Sequence, residues 1–376
     1  MCNFTYNAYV HVCVTYIITI KSYSMNKNKL NINPVVLILL AIIHFYGFTQ
    51  NDVEILKNLN ELSNTKSGIH NYWLEMGSNT YGQPILIPVI VIQGKTNGQT
   101  LGLTSAIHGN ELNGISIIHQ LVDSIDLNIL KGQIIAIPGI NAISIQMNER
   151  RFTDGEDLNR NFPGKEQGSE SEQYVYKIKE RILPSFDVLI DMHTASFGRE
   201  NTLYVRTDSS NDTILKLGEL QNPDIILNSK GPSFGTSTSA TETLRAEAGQ
   251  MGIPTITVEY GNPQVFQNEL ITKGVKGVFN TLKWLNMYEG TIEKDIVQPV
   301  YCKKSYWIYM EEGGFLDVVV KLKQLVKKGE KIAIVKNAFG EIIKTYFSPE
   351  DGVIIGKSSN PSNISGGRIV HLGILQ

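Results

Sequence analysis

The fold class is indicated most clearly by residues 100–125, TLGLTSAIHGNELNGISIIHQLVDSI. Its first eight residues, 100–107, are mostly apolar without alternation, which is typical of a strand buried on both faces. The polar turn HGNE follows at 108–111, and apolar residues recur at helical spacing from Ile115 onward. A strand that passes through a tight turn into a helix is the repeating unit of α/β folds, so the sequence predicts that class.

The same alternation continues on both sides of this unit. The other predicted strands are ILIPVIVI (85–92), QIIAIPG (133–139), DVLIDMH (187–193), TLYVR (202–206) and TITVEYG (255–261). The other predicted helices cover 171–183, 241–251 and 267–288. This order predicts a three-layer α/β domain with a mainly parallel or mixed sheet. After Pro299 the chain changes to short alternating strands with glycine turns, which predicts a small all-β domain at 299–376.

The first 49 residues are typical of a targeting segment rather than of a folded domain. Met25, the expected true start, precedes a basic segment, and an apolar run follows at 35–48. A helix of that length would be about 21 Å long, short of the roughly 30 Å hydrocarbon core. We therefore expect a cleaved signal peptide, a mature chain that begins at Gln50, and a secreted or periplasmic protein without a stable membrane span. An uncleaved leader that anchors the protein in the membrane is the alternative.

The charge balance excludes one class of partner. The chain has 34 Lys plus Arg against 36 Asp plus Glu among 376 residues, a formal net charge of -2. Such a balance gives no electrostatic footprint for nucleic acid, and it leaves the oligomeric state open. We therefore expect the function to reside in a local site that takes a small molecule.

Three residues are candidate metal ligands. His108 and His193 each stand at the carboxyl end of a predicted buried strand, where open α/β sheets place their ligand sites. Only His108 has a Glu three residues later, Glu111. Two imidazoles and one carboxylate form a known catalytic zinc set, which leaves a fourth position for water. The alternative is a pair of histidines that are merely hydrogen-bonded in the core.

Further candidates come from two other segments. Glu259 ends an apolar strand, where an unpaired carboxylate is costly to bury, so it is either a general base beside the metal or the partner of an arginine. The segment RRFTDGEDLNRNFPG, 150–164, is rich in Arg and Asn. Its Arg151, Asn159 and Arg160 could hold an anionic substrate, because the guanidinium group binds carboxylates in a bidentate manner. The alternative is a solvated charged loop.

These motifs together resemble the succinylglutamate desuccinylase/aspartoacylase branch of the zinc carboxypeptidase superfamily. The matching segments, in order, are HGNELNG (108–114), DLNRNFPG (157–164), DMHT (191–194) and LRAEAGQMGIPTITVEYG (244–261). The resemblance implies a three-layer zinc-carboxypeptidase-like domain with a mixed central sheet over 50–298. It further implies that 299–376 is a barrel-sandwich, lipoyl-like β domain.

The resemblance also implies roles for individual residues. His108, Glu111 and His193 would bind one Zn²⁺ ion, and Glu259 would be the general acid/base. Arg151 would polarise the scissile carbonyl. Asn159 and Arg160 would bind the carboxylate of the substrate, and Arg245 would line the substrate-binding site.

The expected function is hydrolysis of the amide bond of a small N-acyl amino acid or short peptide by metal-activated water. Two alternatives remain at this point. One is a carboxypeptidase or amidase that acts on longer or cell-wall peptides. The other is a non-catalytic zinc-containing binding protein, against which the presence of Glu259 argues.

Overall fold

The computed structural model describes residues 53–62, 65–229 and 242–376. The predicted leader (1–49) and its Met25 start therefore lie outside the described residues. The described α-helices are α1 (Asn113–Ser124), α2 (Ala142–Met147), α3 (Glu170–Arg181), α4 (Asp212–Leu220), α5 (Leu244–Gln250) and α6 (Asn268–Trp284). Short 3₁₀ turns cover Leu59–Leu62, Leu158–Arg160 and Leu183–Ser185.

The strands of the first three quarters of the chain are β1 (Ile55–Leu56), β2 (Gly68–Ser78), β3 (Pro84–Gln93), β4 (Thr96–Ser105), β5 (Lys131–Ile137), β6 (Val188–His193), β7 (Arg199–Asn201), β8 (Leu203–Thr207), β9 (Ile225–Asn228) and β10 (Thr255–Tyr260). Those of the last quarter are β11 (Val300–Tyr309), β12 (Gly314–Val318), β13 (Leu325–Val326), β14 (Lys331–Lys336), β15 (Ile342–Phe347), β16 (Gly352–Ser358), β17 (Ser362–Asn363) and β18 (Arg368–Leu375).

A mixed sheet forms the middle layer. Its strand order is β1-β2-β3-β5-β4-β6-β10-β8-β9-β11-β18-β16-β13. The central neighbours β5, β4, β6 and β10 run parallel, whereas β3 and β8 flank them antiparallel. The predicted mixed sheet is therefore confirmed. Because β4 and β6 are adjacent and parallel, their carboxyl ends lie at the same edge of the sheet.

Helices cover both faces of this sheet, as the three-layer prediction requires. One face packs against α3 and α5, whose buried residues include Val175, Ile178 and Leu244. The other face packs against α1, α4 and α6. The central strands are buried on both sides, and Ile134 and Ile135 of β5 lie in opposite cores. Consecutive strand residues point to opposite faces, which explains why these strands are apolar without alternation.

The last quarter of the chain is β-rich, as predicted. A four-stranded sheet, in the order β15-β14-β12-β17, packs with β16 and β18 around a core of its own. In addition, β11 pairs in parallel with β9, and a small shared core joins Tyr204 and Ile225 to Cys302 and Ile355. Val53–Gln376 form one compact unit. The boundary at residue 298 remains a prediction, and the terminal strands extend the same sheet.

Within the described part of the chain, no helix combines the length and apolar character that crossing a bilayer requires.

Candidate metal centre and active site

The turn after β4 places two of the predicted ligands. His108 follows the strand, and the turn closes where the Glu111 N–H donates to the His108 carbonyl at 3.1 Å. Gly109 permits this turn, because a Cβ at that position would clash with the backbone of Ser144. Both ligand side chains are almost fully buried. The sequence therefore folds locally so that one imidazole and one carboxylate face the same point.

His193, the last residue of β6, brings a second imidazole to that point. One donor atom from each of His108, Glu111 and His193 lies within 4.8 Å of the others. His193 Nδ1 lies 2.9 Å from Glu111 Oε2. His108 Nδ1 lies 3.0 Å from Glu111 Oε1, and this buried nitrogen makes no hydrogen bond among the described residues. The structure thus brings together all three predicted ligands.

Two carboxylates orient the imidazoles from behind. His108 Nε2 lies 3.0 Å from Asp157 Oδ1, and His193 Nε2 lies 2.8 Å from Asp191 Oδ2. The Thr104 hydroxyl in turn donates to Asp191 Oδ1 at 2.9 Å. A carboxylate on the far nitrogen fixes the tautomer and ring orientation of a metal-binding histidine, so both Nδ1 atoms are left for the ligand cluster.

The electrostatics keep Glu111 and Asp157 ionised. Burial opposes ionisation of the Glu111 carboxyl, but the neighbouring His108 and His193 hold its pKa well below the usual range. The pKa of Asp157 is lowered too, because His108 and Arg150 outweigh the cost of burial. Burial works against a charge on His193 as well, yet the Asp191 and Glu111 carboxylates raise its pKa well above the ordinary value.

This donor set fits a zinc ion. Two imidazole nitrogens and one carboxylate oxygen match the three protein ligands of catalytic zinc sites. The Nδ1 of His108 is a buried polar atom without a hydrogen bond among the described residues, which a metal ion would satisfy. The carboxylates behind both rings complete the arrangement that metal-binding histidines ordinarily have.

The structure places Arg150, rather than the predicted Arg151, in contact with the cluster. The Arg150 guanidinium donates to Glu111 Oε1 at 3.0 Å, to Asp157 Oδ2 at 2.8 Å, and to the hydroxyl of Ser196. The exposed Arg151 instead donates to the Gly155 carbonyl at 2.6 Å. Asp157 and Glu111 draw the first arginine inward, whereas the second lies at the rim of the same cleft.

Glu259 is the penultimate residue of β10 and is paired in register with His193 on β6. Its carboxylate is mostly buried and lines the cleft. Asn201 Nδ2 donates to Oε2 at 3.1 Å, and Arg206 Nε lies 3.9 Å from Oε1. The contact with the arginine is thus a loose ion pair. The structure places Glu259 beside the ligand cluster, with a carboxylate held from two sides.

The three predicted substrate-binding residues line the same cleft. Asn159 Oδ1 accepts a hydrogen bond from the Leu244 N–H at 2.8 Å, which ties its segment to the start of α5. Arg160 donates to the Asn159 carbonyl. Arg245 donates to the carbonyl of Ser229 at 3.1 Å, and burial lowers its pKa to about 10. These residues are assembled on the side of the cleft formed by the 157–164 segment and α5.

The cleft has a volume of about 780 Å³ and an excess of positive charge. Among the described residues that line it, seven are arginines and four are carboxylates. Four of the arginines were not predicted: Arg150, Arg199, Arg206 and Arg368. A cleft with an excess of positive charge attracts negatively charged ligands, so the arrangement favours an anionic substrate.

Residues of the C-terminal region form one wall of this cleft. Trp307 stacks on His371 with ring centroids 5.2 Å apart, and the Arg368 guanidinium lies 5.5 Å from the Trp307 ring centroid. Burial, together with Arg206 and other nearby arginines, lowers the pKa of His371 to about 3, so this imidazole is neutral at pH 7. No motif in the sequence linked these residues to the site. Asp157 and Asp191, by contrast, lay within motifs already quoted.

Comparison with known proteins agrees with this geometry. A model of the succinylglutamate desuccinylase/aspartoacylase catalytic domain matches residues 97–285. The N-alpha-acetyl-L-2,4-diaminobutyric acid deacetylase of Halomonas elongata is 24% identical over 286 residues, which cover 73% of this chain and 81% of that protein. The succinylglutamate desuccinylase of Pseudomonas paraeruginosa is 28% identical over 225 residues, which cover 55% of this chain and 62% of that protein.

Solved structures show the same fold. The product-bound ectoine utilization protein EutE (DoeB) from Ruegeria pomeroyi superposes with a TM-score of 0.73 at 20% identity, over 82% of this chain and 96% of that chain. A succinylglutamate desuccinylase from Silicibacter sp. TM1040 gives a TM-score of 0.72 at 21% identity, over 83% of this chain and 96% of that chain. Because the family model spans half of the chain and the fold agrees, this protein belongs to the succinylglutamate desuccinylase/aspartoacylase family.

Proposed function

We propose that this protein is a zinc-dependent hydrolase that cleaves the amide bond of a small N-acyl amino acid. The observation that carries the proposal is the buried His108–Glu111–His193 cluster, with Glu259 beside it, in a cleft rich in arginine. The family supports the reaction class. Two relatives, by their names, remove acetyl and succinyl groups from amino acids, which supports an N-acyl amino acid as the substrate here.

The protein's own groups would divide the chemistry as follows. His108, Glu111 and His193 would hold the ion, which when bound activates water and polarises the scissile carbonyl. Glu259 would accept a proton from the water and deliver it to the leaving amine. Arg150, fixed by Asp157, would donate to the carbonyl oxygen as negative charge develops there.

A screen of purified protein tests the proposal. The panel contains N-acetyl and N-succinyl amino acids, tripeptides and peptides from cell-wall fragments, with release of free amino acid as the readout. We expect the N-acyl amino acids to react fastest. Faster cleavage of the longer peptides would instead identify a carboxypeptidase or amidase, and full zinc occupancy without turnover of any compound would identify a binding protein.

Arg160 gives a prediction about substrate charge. The planar guanidinium of Arg160, next to Asn159, can bind a free carboxylate with a charge-assisted contact of roughly 1.5 to 3 kcal/mol. Amidated substrates should therefore lose about 10-fold to 100-fold in kcat/KM. Arg160→Ala should erase this preference, and Arg160→Lys should restore part of it, because an ammonium keeps the charge but lacks the fork. The ratio of kcat/KM for an N-acyl amino acid and its amide measures the effect.

The matched control is Arg181→Ala. This arginine of α3 donates to the Glu75 carbonyl and does not line the cleft. It should leave the ratio unchanged. If Arg160→Ala slows the acid and its amide equally, with zinc content and folding intact, the role in carboxylate binding is wrong.

Export is a separate part of the proposal. The basic and apolar pattern of residues 25–48 supports a cleaved signal peptide and a secreted or periplasmic protein. Mass spectrometry of protein from the native host should find a mature chain that begins near Gln50. A membrane fraction that contains the intact 25–49 segment would show an anchor instead.

A further inference from the structure

A short strand outside the main sheet order contacts the proposed general base. Asn201, the last residue of β7, is 8% exposed and donates from Nδ2 to Glu259 Oε2 at 3.1 Å. A carboxylate only accepts hydrogen bonds, so the amide must turn its NH₂ group toward Glu259. The amide oxygen, Oδ1, is then directed away from the carboxylate.

The C-terminal region holds this strand in place. β7 pairs with β16, and Asn201 lies opposite Gly356 in the register. The backbone is tied at both ends, because the Thr202 N–H donates to the Ile355 carbonyl and the Ser359 N–H to the Gly198 carbonyl, each at 3.0 Å. The position of the Asn201 backbone is therefore set by residues about 155 positions later in the chain.

Gly356 fits the amide because it has no side chain. A Cβ at this position would clash with Asn201 Oδ1 and would lie 3.0 Å from the Glu200 carbonyl oxygen. The amide thus lies between the Gly356 backbone on its oxygen side and Glu259 on its nitrogen side. An added methyl group would displace the movable amide first, since the strand backbone is held by its hydrogen bonds.

We propose that Asn201 is a positioning residue for Glu259, and that Gly356 of the C-terminal region fixes the Asn201 amide in its donating position. The inference rests on the proposed function, because it takes Glu259 as the group that moves the proton. One hydrogen bond on Oε2 restricts the rotation of the carboxylate, and Arg206 near Oε1 restricts it from the other side. The C-terminal region then contributes to proton transfer as well as to the shape of the cleft.

Asn201→Ala tests whether Asn201 positions Glu259. The substrate is the N-acetyl amino acid of the panel that reacts fastest. We expect kcat to fall about 10-fold, the value of a hydrogen bond to a charged group, with KM unchanged. Asn201→Asp should lower kcat further, because a second carboxylate would face the first. In a Glu259→Gln background, Asn201→Ala should change kcat less than about 2-fold, because no proton acceptor remains to be positioned.

Gly356→Ala tests whether Gly356 fixes the Asn201 amide in its donating position. It should reproduce the loss of kcat seen with Asn201→Ala, and the double variant should be no slower than either single variant. Gly249→Ala is the matched control, since no atom lies within 4 Å of a Cβ at that helix position, and it should leave kcat and KM unchanged. Zinc content should stay at the wild-type level in all of these variants.

The outcomes separate the two proposals. If Glu259→Gln keeps full turnover, Glu259 is not the general base and this part of the proposed function is wrong. If Glu259→Gln is slow but the effect of Asn201→Ala multiplies with it, or appears in KM alone, Asn201 does not act through Glu259 and the inference is overturned. Should Gly356→Ala unfold, the two Asn201 variants, which leave β16 unchanged, still decide whether Asn201 acts through Glu259.

Discussion

His193→Ala is expected to reduce bound zinc to well below one equivalent per chain and to abolish hydrolysis. The substitution removes one of three protein ligands, and the remaining imidazole and carboxylate hold zinc poorly. It also leaves Asp191 and Glu111 without the imidazole that now lies between them. Elemental analysis of the purified variant, together with an activity assay, measures both effects.

His119→Ala is the matched control for this experiment. His119 lies on α1, close in sequence to the ligand turn, but its side chain is exposed. The variant should bind one equivalent of zinc and keep full activity. If His193→Ala retains full zinc occupancy, the ligand assignment fails.

Glu259→Gln is expected to keep zinc and to lower turnover by roughly 10²-fold to 10⁴-fold. The amide has nearly the same shape as the carboxylate but accepts no proton at neutral pH, so binding is preserved and proton transfer is lost. Metal content and kcat, measured on the same preparation, test whether zinc is kept and whether turnover falls. Glu180→Gln, at an exposed carboxylate of α3, should change neither quantity.

Loss of zinc from Glu259→Gln would contradict this assignment, because it would make Glu259 a metal ligand. Full turnover would contradict it as well. These outcomes differ from those expected for His193→Ala, so the two variants distinguish a ligand from a base.

The sequence was sufficient to predict the central strands and that His108, Glu111 and His193 lie close together. Runs such as 187–193 are apolar on both faces because each lies between two helical layers, and this pattern is visible without a structure. His108 and His193 were recognisable because each stands at the end of such a strand. β2 was missed because it lies near the sheet edge and is buried mainly on one face.

What the sequence could not supply was the direction of side chains and the order of distant strands. Arg150 and Arg151 are chemically identical neighbours, and only the positions of Glu111 and Asp157 determine which one faces the cluster. The contact of Asn201 with Gly356 depends on a pairing between strands far apart in the chain. Local patterns carry no information about such pairings.

Titration of metal-free protein with zinc tests whether hydrolysis depends on one zinc ion per chain. The full chain is stripped with a chelator, and hydrolysis of the fastest N-acyl amino acid is followed as zinc is added. We expect no turnover without metal, a linear increase, and a plateau at one equivalent per chain, as one site formed by His108, Glu111 and His193 requires. Turnover by the metal-free protein, or saturation with zinc without any hydrolysis, would show that this protein is not a zinc-dependent hydrolase.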